Sequence, residues 1–315
     1  MSNLVVPAWA WGLLAGIMLL LVAIDLFAHR GDQIDSRRRA VVWSVVWVAA
    51  AVAFGVFVGL YFGAETAEQY FAAYLLEKSL SVDNLFLFLV VFTALGIPAS
   101  EQRRVLTWGI IGALVTRGVF IALGAAVLHR WHEITYVFGA ILVFTAFKML
   151  RSGGGEPGRL LGWLERHLPW TRERSGHHFV VRRGGRWLAT PLLIALVAIE
   201  LTDVMFALDS IPAAFAVSED PFVIYSSNVF AVLGLRALYV VLLDAISQLR
   251  YLKYGLAAVI AFAGAKMLVA PWLAISPLMS VAVIALVIGA AAVASVLASR
   301  RERAAVVATP SCLPR

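Results

Sequence analysis

Three acidic residues lie inside one apolar stretch of the sequence, between Pro191 and Pro212. Glu200, Asp203 and Asp209 occur there in PLLIALVAIELTDVMFALDSIP, a run that is long and apolar enough to cross a bilayer. An ionisable side chain is costly in such a run, by about 2.5 kcal/mol or more for Asp near the midplane. Three acids in one span therefore predict a functional site.

The spacing within this stretch suggests what the site would bind. On a helix, Glu200 and Asp203 lie about 60° apart on one face, whereas Asp209 points away from both. Pro212 lacks the N–H that would bond the carbonyl of Leu208, so the last turn can bend or open and free backbone oxygen beside Asp209 and Ser210. Carboxylates and carbonyls are ligands for hard cations. The stretch therefore predicts a cation site.

A second apolar stretch, Tyr70–Leu95, carries a related pattern. Its polar and ionisable residues include Glu77, Lys78, Ser81, Asp83 and Asn84. Glu77, Ser81 and Asn84 follow i, i+4, i+7 spacing and share one helix face, whereas Asp83 lies about 120° round from Glu77. The Asp-Asn pair corresponds to the Asp-Ser pair at 209–210, so the two stretches resemble copies of one site.

The composition is that of a polytopic membrane protein. The chain is 62% hydrophobic and 14% charged, with a mean hydropathy of +0.87, which makes a soluble domain very improbable. The net charge of +7 does not indicate a nucleic-acid partner, because the basic residues cluster in the short segments between apolar runs. The lipid bilayer is the predicted environment.

Cysteine and histidine usage restricts the chemistry. The single cysteine, Cys312, lies in the polar C-terminal tail, which excludes a disulfide framework and a cysteine redox centre. All six histidines lie in loops or at the ends of apolar runs, so the buried polar set is almost purely oxygen. Oxygen ligands favour Mn²⁺, Mg²⁺ or Ca²⁺ over Zn²⁺ or Cu⁺. No tightly bound cofactor is predicted.

Windows of about 20 apolar residues predict an all-α polytopic fold with about nine transmembrane helices. The predicted spans are 8–28, 41–62, 70–95, 105–128, 134–150, 189–214, 222–243, 254–270 and 273–298. The arginine-rich connecting segments then all fall on one side, which the positive-inside rule makes cytoplasmic. We expect a protein of the plasma (inner) membrane with its N-terminus outside and its C-terminus in the cytoplasm.

Internal repetition groups these spans. Arg117–Leu150 resembles Arg236–Leu268, since each begins with Arg and ends in Lys-Met-Leu. Together with the acidic stretches, spans three to five and six to eight form two copies of a three-helix unit. An odd number of spans per unit inverts the second copy in the membrane. Inverted repeats with polar helices at their interface recur in transporters.

Five segments follow from this division. Residues 1–69 hold two N-terminal transmembrane helices, 70–151 the first repeat, 152–188 a basic cytoplasmic loop, 189–271 the second repeat, and 272–315 the final helix and tail. Within the loop, apolar residues at 160–168 beside two arginines predict a short helix on the membrane surface. A tether is the simplest interpretation of that loop as a whole.

Six ordered motifs resemble the TerC family, and within it the Alx-like branch, over nearly the whole chain. They are YLLEKSLSVDNLF (74–86), QRRVLTWGIIGA (102–113), YVFGAILVFTAFKM (136–149), IELTDVMFALDSIPAAFAV (199–217), DPFVIYSSNVFAVLGLRALY (220–239) and YLKYGLAAVIAFAGAKML (251–268). The sequence differs from the usual family pattern at Ser81, Met205 and Leu208, and none of these positions is one of the acids.

The resemblance implies membership of the LysE-type transporter superfamily and a role in metal homeostasis, with manganese export as the expected activity. Tellurium resistance and membrane-bound redox modulation are older names attached to such proteins. By the same resemblance, seven residues match the membrane-embedded motifs and are expected to bind the metal: Glu77, Asp83, Asn84, Glu200, Asp203, Asp209 and Ser210.

Buried salt bridges offer a purely structural explanation of the acids, with Arg117 and Arg236 as the main charge-pairing partners. The acids outnumber these two arginines, so a surplus still requires a cation or protons. Asp25 is expected to be a charge at the membrane interface, and Lys148 and Lys266 are expected to reach the surface.

Exchange of the metal ion for protons is the predicted mechanism, because the sequence contains no G-x-x-x-x-G-K-[ST] motif for ATP hydrolysis. Two other functions stay open. One is a non-transporting membrane partner, such as an assembly factor or a redox or tellurium-resistance component. The other is an oxyanion exporter, which the acidic excess disfavours. No nucleophile and base arrangement indicates an enzyme, and the sequence leaves a homo-oligomer open.

Overall fold

The computed structural model describes residues 6–28, 37–131, 133–151, 156–171, 176, 178–183, 185–242, 251–270, 272–273 and 275–308. Its helices are α1 (Ala8–Ala28), α2 (Arg37–Phe62), α3 (Ala64–Ala94), α4 (Ala99–Arg130), α5 (Ile134–Arg151), α6 (Glu156–His167), α7 (Pro191–Phe215), α8 (Pro221–Leu233), α9 (Leu235–Leu242), α10 (Leu252–Val269) and α11 (Pro277–Ala308). Its strands are β1 (Val180–Arg183) and β2 (Arg186–Ala189).

Five of the described helices are long and apolar enough to cross a membrane: α1, α2, α4, α7 and α11. The pair α8 and α9 forms a sixth candidate if the two count as one bent span. Helices α5 and α10 are apolar but shorter, and α3 is 31 residues long but carries Glu77, Lys78 and Asp83 in its middle. The described residues thus supply five or six spans by length and composition, and the number nine stays a prediction.

The predicted span at 222–243 is bent in the structure. Helix α8 ends at Leu233 and α9 begins at Leu235, with a bend of 41° between them. Lys78 Nζ donates a hydrogen bond of 3.1 Å to the carbonyl of Ala231 at this end of α8. That carbonyl lies in the last turn, where intrahelical partners run out. The lysine therefore supplies a hydrogen-bond donor to a carbonyl at the end of α8.

Helix α7 stays helical through Pro212 and ends at Phe215. The last turn therefore stays helical, without the opening that Pro212 could cause. A proline removes one N–H bond to the preceding turn, and this one lies so close to the helix end that the loss stays local. The carbonyl of Pro212 itself accepts a hydrogen bond of 3.0 Å from the N–H of Ala216.

Helices α3, α4, α7 and α8 pack together at the centre of the fold, with α3 against α8 and α4 against α7. Helices α1 and α2 cover this centre on one side, and α10 and α11 cover α3 on another. Half of the apolar stretch of α7 is buried within the protein, compared with 17–28% of the apolar stretches of α1, α2, α4 and α11. The acidic helix α7 is therefore the most enclosed of the long spans.

Two glycines bring α5 and α10 into close contact. A Cβ built on Gly264 would lie 2.9 Å from the carbonyl oxygen of Gly139 and 2.9 Å from Leu142 Cβ. A Cβ built on Gly139 would lie 3.1 Å from the carbonyl oxygen of Gly264. These neighbours are backbone atoms or lie next to the backbone, so a larger residue must move a whole helix.

Gly264→Ala is expected to lower the free energy of unfolding by about 1–3 kcal/mol, because the added methyl group overpacks this contact. The Tm of the detergent-purified protein measures the effect. The matched control is Gly289→Ala on α11, where an added Cβ meets nothing within 4 Å and alanine favours the helix by up to ~1 kcal/mol. Equal Tm values for the two variants would contradict the close approach of α5 and α10.

Parts of the segment at 152–188 are folded. Helix α6 overlaps the stretch 160–168 where a surface helix is predicted, and its Leu161 and Leu164 are buried in the same core as Leu192 near the start of α7. Helix α6 therefore packs on α7, and its place at a membrane surface stays a prediction. Strands β1 and β2 form an antiparallel hairpin, which the all-α prediction misses. The described part of this segment therefore contains a helix and a hairpin.

Candidate functional site

Helices α3, α4 and α7 bring four polar side chains together in the protein interior. Glu77 and Asn84 come from α3, Arg117 from α4 and Asp203 from α7, and these four residues define the Arg117 cluster. Their exposed fractions are 2%, 3%, 1% and 6%. The spacing of seven residues between Glu77 and Asn84 places both on one face of α3. Three of the seven predicted metal ligands therefore meet here.

The guanidinium of Arg117 bridges two carboxylates. Its Nη2 donates to Asp203 Oδ1 at 2.8 Å, its Nε donates to Asp203 Oδ2 at 3.2 Å, and its Nη1 forms an ion pair with Glu77 Oε1. Asn84 Nδ2 also donates to Asp203 Oδ1, at 3.4 Å. A planar guanidinium suits this role because its donors project in fixed directions that match carboxylate oxygens. One side chain thus links α3, α4 and α7.

Glu200 lies one helical turn before Asp203 and is partly exposed. Its carboxylate rests against α4 at Gly112, where a Cβ would overlap both carboxylate oxygens. The space for this carboxylate therefore depends on the missing side chain at Gly112. One turn earlier on α4, a Cβ on Gly109 would lie 4.0 Å from Glu200 Oε1, an ordinary contact distance.

The buried oxygens without a hydrogen-bond partner in the described part of the chain include Ser81 Oγ, Ser210 Oγ and Asn228 Oδ1. Each of the three residues is at most 2% exposed. Ser81 lies between Glu77 and Asn84 on one face of α3, and Ser210 lies two turns after Asp203 on α7. Buried polar groups without partners are uncommon in native proteins. Of the three, the Ser81 oxygen lies next to the Arg117 cluster, where it is available as a neutral ligand.

Asp83 and Asp209 are predicted ligands whose side chains lie outside the described residues, although their backbones belong to α3 and α7. Among the side chains that are described, no three His, Cys, Asp or Glu residues lie close enough together to hold a metal ion. In the sequence, Asp83 adjoins Asn84 and Asp209 adjoins Ser210.

Arg236 contacts acids and hydroxyls elsewhere in the fold. Its side chain is buried, and its Nη1 lies 3.5 Å from both Asp25 Oδ2 and Thr107 Oγ1. Asp25, which is expected to be a charge at the membrane interface, is only 6% exposed and pairs with Arg236 inside the protein. Helix α1 also packs on α8. Arg236 thus engages residues of α1 and α4, whereas Arg117 engages acids of α3 and α7.

The lysines also take partners that their places in the sequence do not reveal. Lys78 adjoins Glu77 in the chain, yet it donates to Ala231 of α8. Lys266 does not simply extend to the surface as expected, because its Nζ donates to Ser280 Oγ of α11 at 3.0 Å. Lys148 is exposed, as expected.

Glu77 and Asp203 occupy equivalent positions in the two acidic stretches, a relation that the sequence contains and the prediction overlooks. Each is followed after six residues by aspartate and then by a small polar residue, in 77–84 and in 203–210. The structure places these two equivalent acids on either side of Arg117. The shared spacing could have identified them as a pair.

Long apolar helices around a layer of buried charge define an integral, multi-pass membrane protein. Residues 62–303 match the integral membrane protein TerC family. The chain belongs to this family, and the match includes every helix that contributes to the Arg117 cluster.

Similar proteins occur in bacteria and plants. The membrane protein STKORF319 of Myxococcus xanthus is 44% identical over 295 residues, covering 92% of this chain and 92% of that protein. Alx of Escherichia coli K12, whose name describes a proposed membrane-bound redox modulator, is 40% identical over 273 residues, covering 82% and 85%. The chloroplastic thylakoid membrane protein TERC of Arabidopsis thaliana is 40% identical over 210 residues, covering 65% and 55%. No solved structure matches the chain.

Proposed function

We propose that this protein is a secondary transporter that exports a divalent metal cation, with manganese as the best candidate and proton entry as the driving process. The observation that carries the proposal is the layer of acids inside α3 and α7, whose charge Arg117 neutralises only in part. Intramembrane acids of this kind commonly mark the path of an ion.

The charge balance of this layer favours a cation. Five acids lie in the middle of α3 and α7. The middle parts of α3, α4 and α7 carry two basic residues, Lys78 and Arg117, so three negative charges are left unbalanced. The acids are Glu77, Asp83, Glu200, Asp203 and Asp209. Burying carboxylates without compensation is costly, so they must bind protons or a cation. Alternation between these two states is the proposed exchange.

The ligand chemistry points to a hard divalent ion. Beside the carboxylates, the Ser81 and Ser210 hydroxyls are buried and without partners in the described structure, and the Asn84 carbonyl oxygen adds a third neutral donor. Carboxylate, amide and hydroxyl oxygens suit Mn²⁺, Mg²⁺ and Ca²⁺. The resemblance of the acidic motifs to TerC-type sequences favours manganese among them.

An inverted repeat is the proposed architecture of the transport unit. The packing supports it, because α3 lies against α8 while α7 lies against α4, and α5 lies against α10. This pattern is what a two-fold relation between α3–α5 and α7–α10 would produce. The equivalent acids Glu77 and Asp203 then meet near the axis, at Arg117. Transporters with such repeats bind their substrates at the repeat interface.

The energetics require a coupled mechanism. Export of a divalent cation against an inside-negative potential costs about 4.6 kcal/mol per 100 mV for two charges. Protons that enter through the same acids supply this energy if they are released inside. We place the protein in the plasma membrane with its C-terminus in the cytoplasm, because that orientation puts the arginine-rich segments inside.

A redox role is the second candidate, since the name of the relative Alx describes a redox modulator. The chain has one cysteine, Cys312, which lies beyond the described residues, so an internal disulfide cannot form. If the protein acts as a redox or assembly partner, the acids are structural. Their neutral variants would then lower the amount of inserted protein and leave no separate effect on cation movement.

The test is Mn²⁺ uptake into everted membrane vesicles under an imposed proton gradient, acidic inside. Wild type is expected to take up Mn²⁺ in a gradient-dependent manner, and Asp83→Asn or Asp209→Asn is expected to reduce the rate by about tenfold or more, since each removes a charged ligand. The rates are normalised to the amount of inserted protein.

Glu219→Gln is the matched control, because it neutralises an exposed acid in the loop before α8. This variant is expected to transport like wild type. If wild type moves none of Mn²⁺, Mg²⁺ and Ca²⁺, the transport proposal is wrong and the partner role is favoured.

A further inference from the structure

Arg117 is a positive charge tethered between two equivalent acids. It is 1% exposed, and it contacts Glu77 from the first acidic stretch and Asp203 from the second. Its fixed guanidinium thus occupies the position where a mobile cation would neutralise both carboxylates. This inference deepens the proposed function and rests on it.

The hydrogen bonds of Asp203 show what a metal ion would have to displace. Oδ2 accepts from Arg117 Nε, and Oδ1 accepts from Arg117 Nη2 and from Asn84 Nδ2. Both oxygens are therefore engaged, and a guanidinium beside a divalent ion on one carboxylate would cause strong repulsion. A cation can bind Asp203 only if Arg117 gives up at least part of its contact.

We propose that Arg117 is a built-in competitor of the transported divalent cation. When no metal is bound, the guanidinium pairs with Glu77 and Asp203 and neutralises one of their two charges. When the metal binds, it takes these carboxylates together with a neighbouring oxygen such as that of Ser81, and Arg117 withdraws. When Arg117 returns, it expels the metal. Arg117 is thus a positioning residue that keeps the affinity low enough for release.

The location of Arg117 couples this exchange to helix movement. The arginine belongs to α4, whereas the acids belong to α3 and α7. In the arginine-bound state all three helices are joined by one side chain, and in the metal-bound state only α3 and α7 share a ligand. Loading therefore frees α4 from α3 and α7 at this level, a discrete change of the kind that alternating access requires.

The experiment measures Mn²⁺ affinity by isothermal titration calorimetry on the full-length protein in detergent. Arg117→Gln removes the competing charge and is expected to bind Mn²⁺ about tenfold more tightly or better, a change worth about 1.4 kcal/mol. The same variant is expected to transport Mn²⁺ more slowly than wild type, because release no longer has a competitor. Tighter binding with slower transport is a combination that a merely structural arginine would not produce.

Arg236→Gln is the matched control. Arg236 is also buried and ion-paired, but its partners Asp25 and Thr107 belong to α1 and α4. Its neutral variant is expected to bind Mn²⁺ with the affinity of wild type. An equal gain in affinity for both arginine variants would overturn the proposal, because it would reflect net charge and not competition at the Arg117 cluster.

Arg117→Lys keeps the buried charge and serves if the neutral variant does not fold. A single ammonium cannot bridge two carboxylates as the planar guanidinium does. It competes less well, so an affinity about threefold above that of wild type is expected. The proposal would be overturned if Arg117→Lys, and Arg117→Gln where it folds, bound Mn²⁺ with the affinity of wild type.

The two levels of failure are distinguishable. If wild type transports and binds Mn²⁺ but loss of Arg117 leaves affinity unchanged or lower, only the competitor role is wrong. If wild type and both Arg117 variants bind no Mn²⁺, Mg²⁺ or Ca²⁺ and vesicle transport is absent as well, the proposed function is wrong and the inference with it.

Discussion

Asp203→Ala is expected to lower the free energy of unfolding by about 3–5 kcal/mol, because it leaves a buried arginine with half of its partners. Arg117 loses two hydrogen bonds, at 2.8 and 3.2 Å, while it stays in the protein interior. Asn84 loses its acceptor in the same step. The Tm of the purified protein and the amount of inserted protein measure the effect.

A neutral replacement of the whole charged group provides the control. Glu77→Gln, Arg117→Gln and Asp203→Asn combined leave no buried charge unpaired at this position, so most of the lost stability is expected to return. This triple variant is nevertheless expected to move no Mn²⁺, since two carboxylates are gone. A single Asp203→Ala variant with the Tm of wild type would show that the Arg117 cluster does not hold α3, α4 and α7 together.

Gly112→Ala is expected to reduce transport by about tenfold or more while stability changes little. The added Cβ overlaps the carboxylate of Glu200, which is the mobile end of a flexible side chain and can move aside. The added methyl group therefore displaces the Glu200 carboxylate and does not push the two helices apart. Small displacements of a functional group are costly for activity, up to about a hundredfold per ångström in enzymes.

Gly109→Ala is the matched control on the same face of α4. Its added Cβ would lie 3.4 Å from Ile199 Cγ2 and 4.0 Å from Glu200 Oε1, which are ordinary contacts. Normal transport in Gly109→Ala and reduced transport in Gly112→Ala, at equal Tm, would assign the effect to Glu200. Equal transport in both variants would show that the position of this carboxylate does not matter.

Much of the candidate site follows from the sequence, because its elements are simple helices. Helical spacing places Glu77 and Asn84 on one face of α3, and the structure brings both to the same group of side chains. Acids in membrane-length apolar runs are rare, so their presence in two stretches indicates where the polar interior lies. These inferences need only local geometry and composition.

The choice of partners could not be predicted, because it depends on how distant helices pack. Arg117 and Arg236 look equivalent in the sequence, yet only Arg117 meets Glu77 and Asp203. Arg236 follows the bend between α8 and α9, which directs its side chain toward Asp25. A bend at one glycine in an apolar run has no reliable sequence signal. The sequence alone therefore does not reveal that Asp25 pairs with Arg236.

The hairpin of β1 and β2 had a signal that the prediction did not use. Gly184-Gly185 separates VVRR from RWLA, and a two-glycine link between short runs of β-favouring residues is typical of a tight hairpin turn. The structure pairs Arg183 with Arg186 across this link. The apolar runs on either side of the segment carry no information about these short strands.

The central claim is that the buried acids exchange a divalent cation for protons. The most direct measurement is proton movement in sealed proteoliposomes of the purified protein that contain a pH-sensitive dye, after Mn²⁺ is added outside. We predict that Mn²⁺ enters and the lumen becomes alkaline in wild type, and that neither occurs with Asp209→Asn. Mn²⁺ entry without any proton movement would contradict the exchange, and no response of wild type to Mn²⁺, Mg²⁺ or Ca²⁺ would contradict the transport function itself.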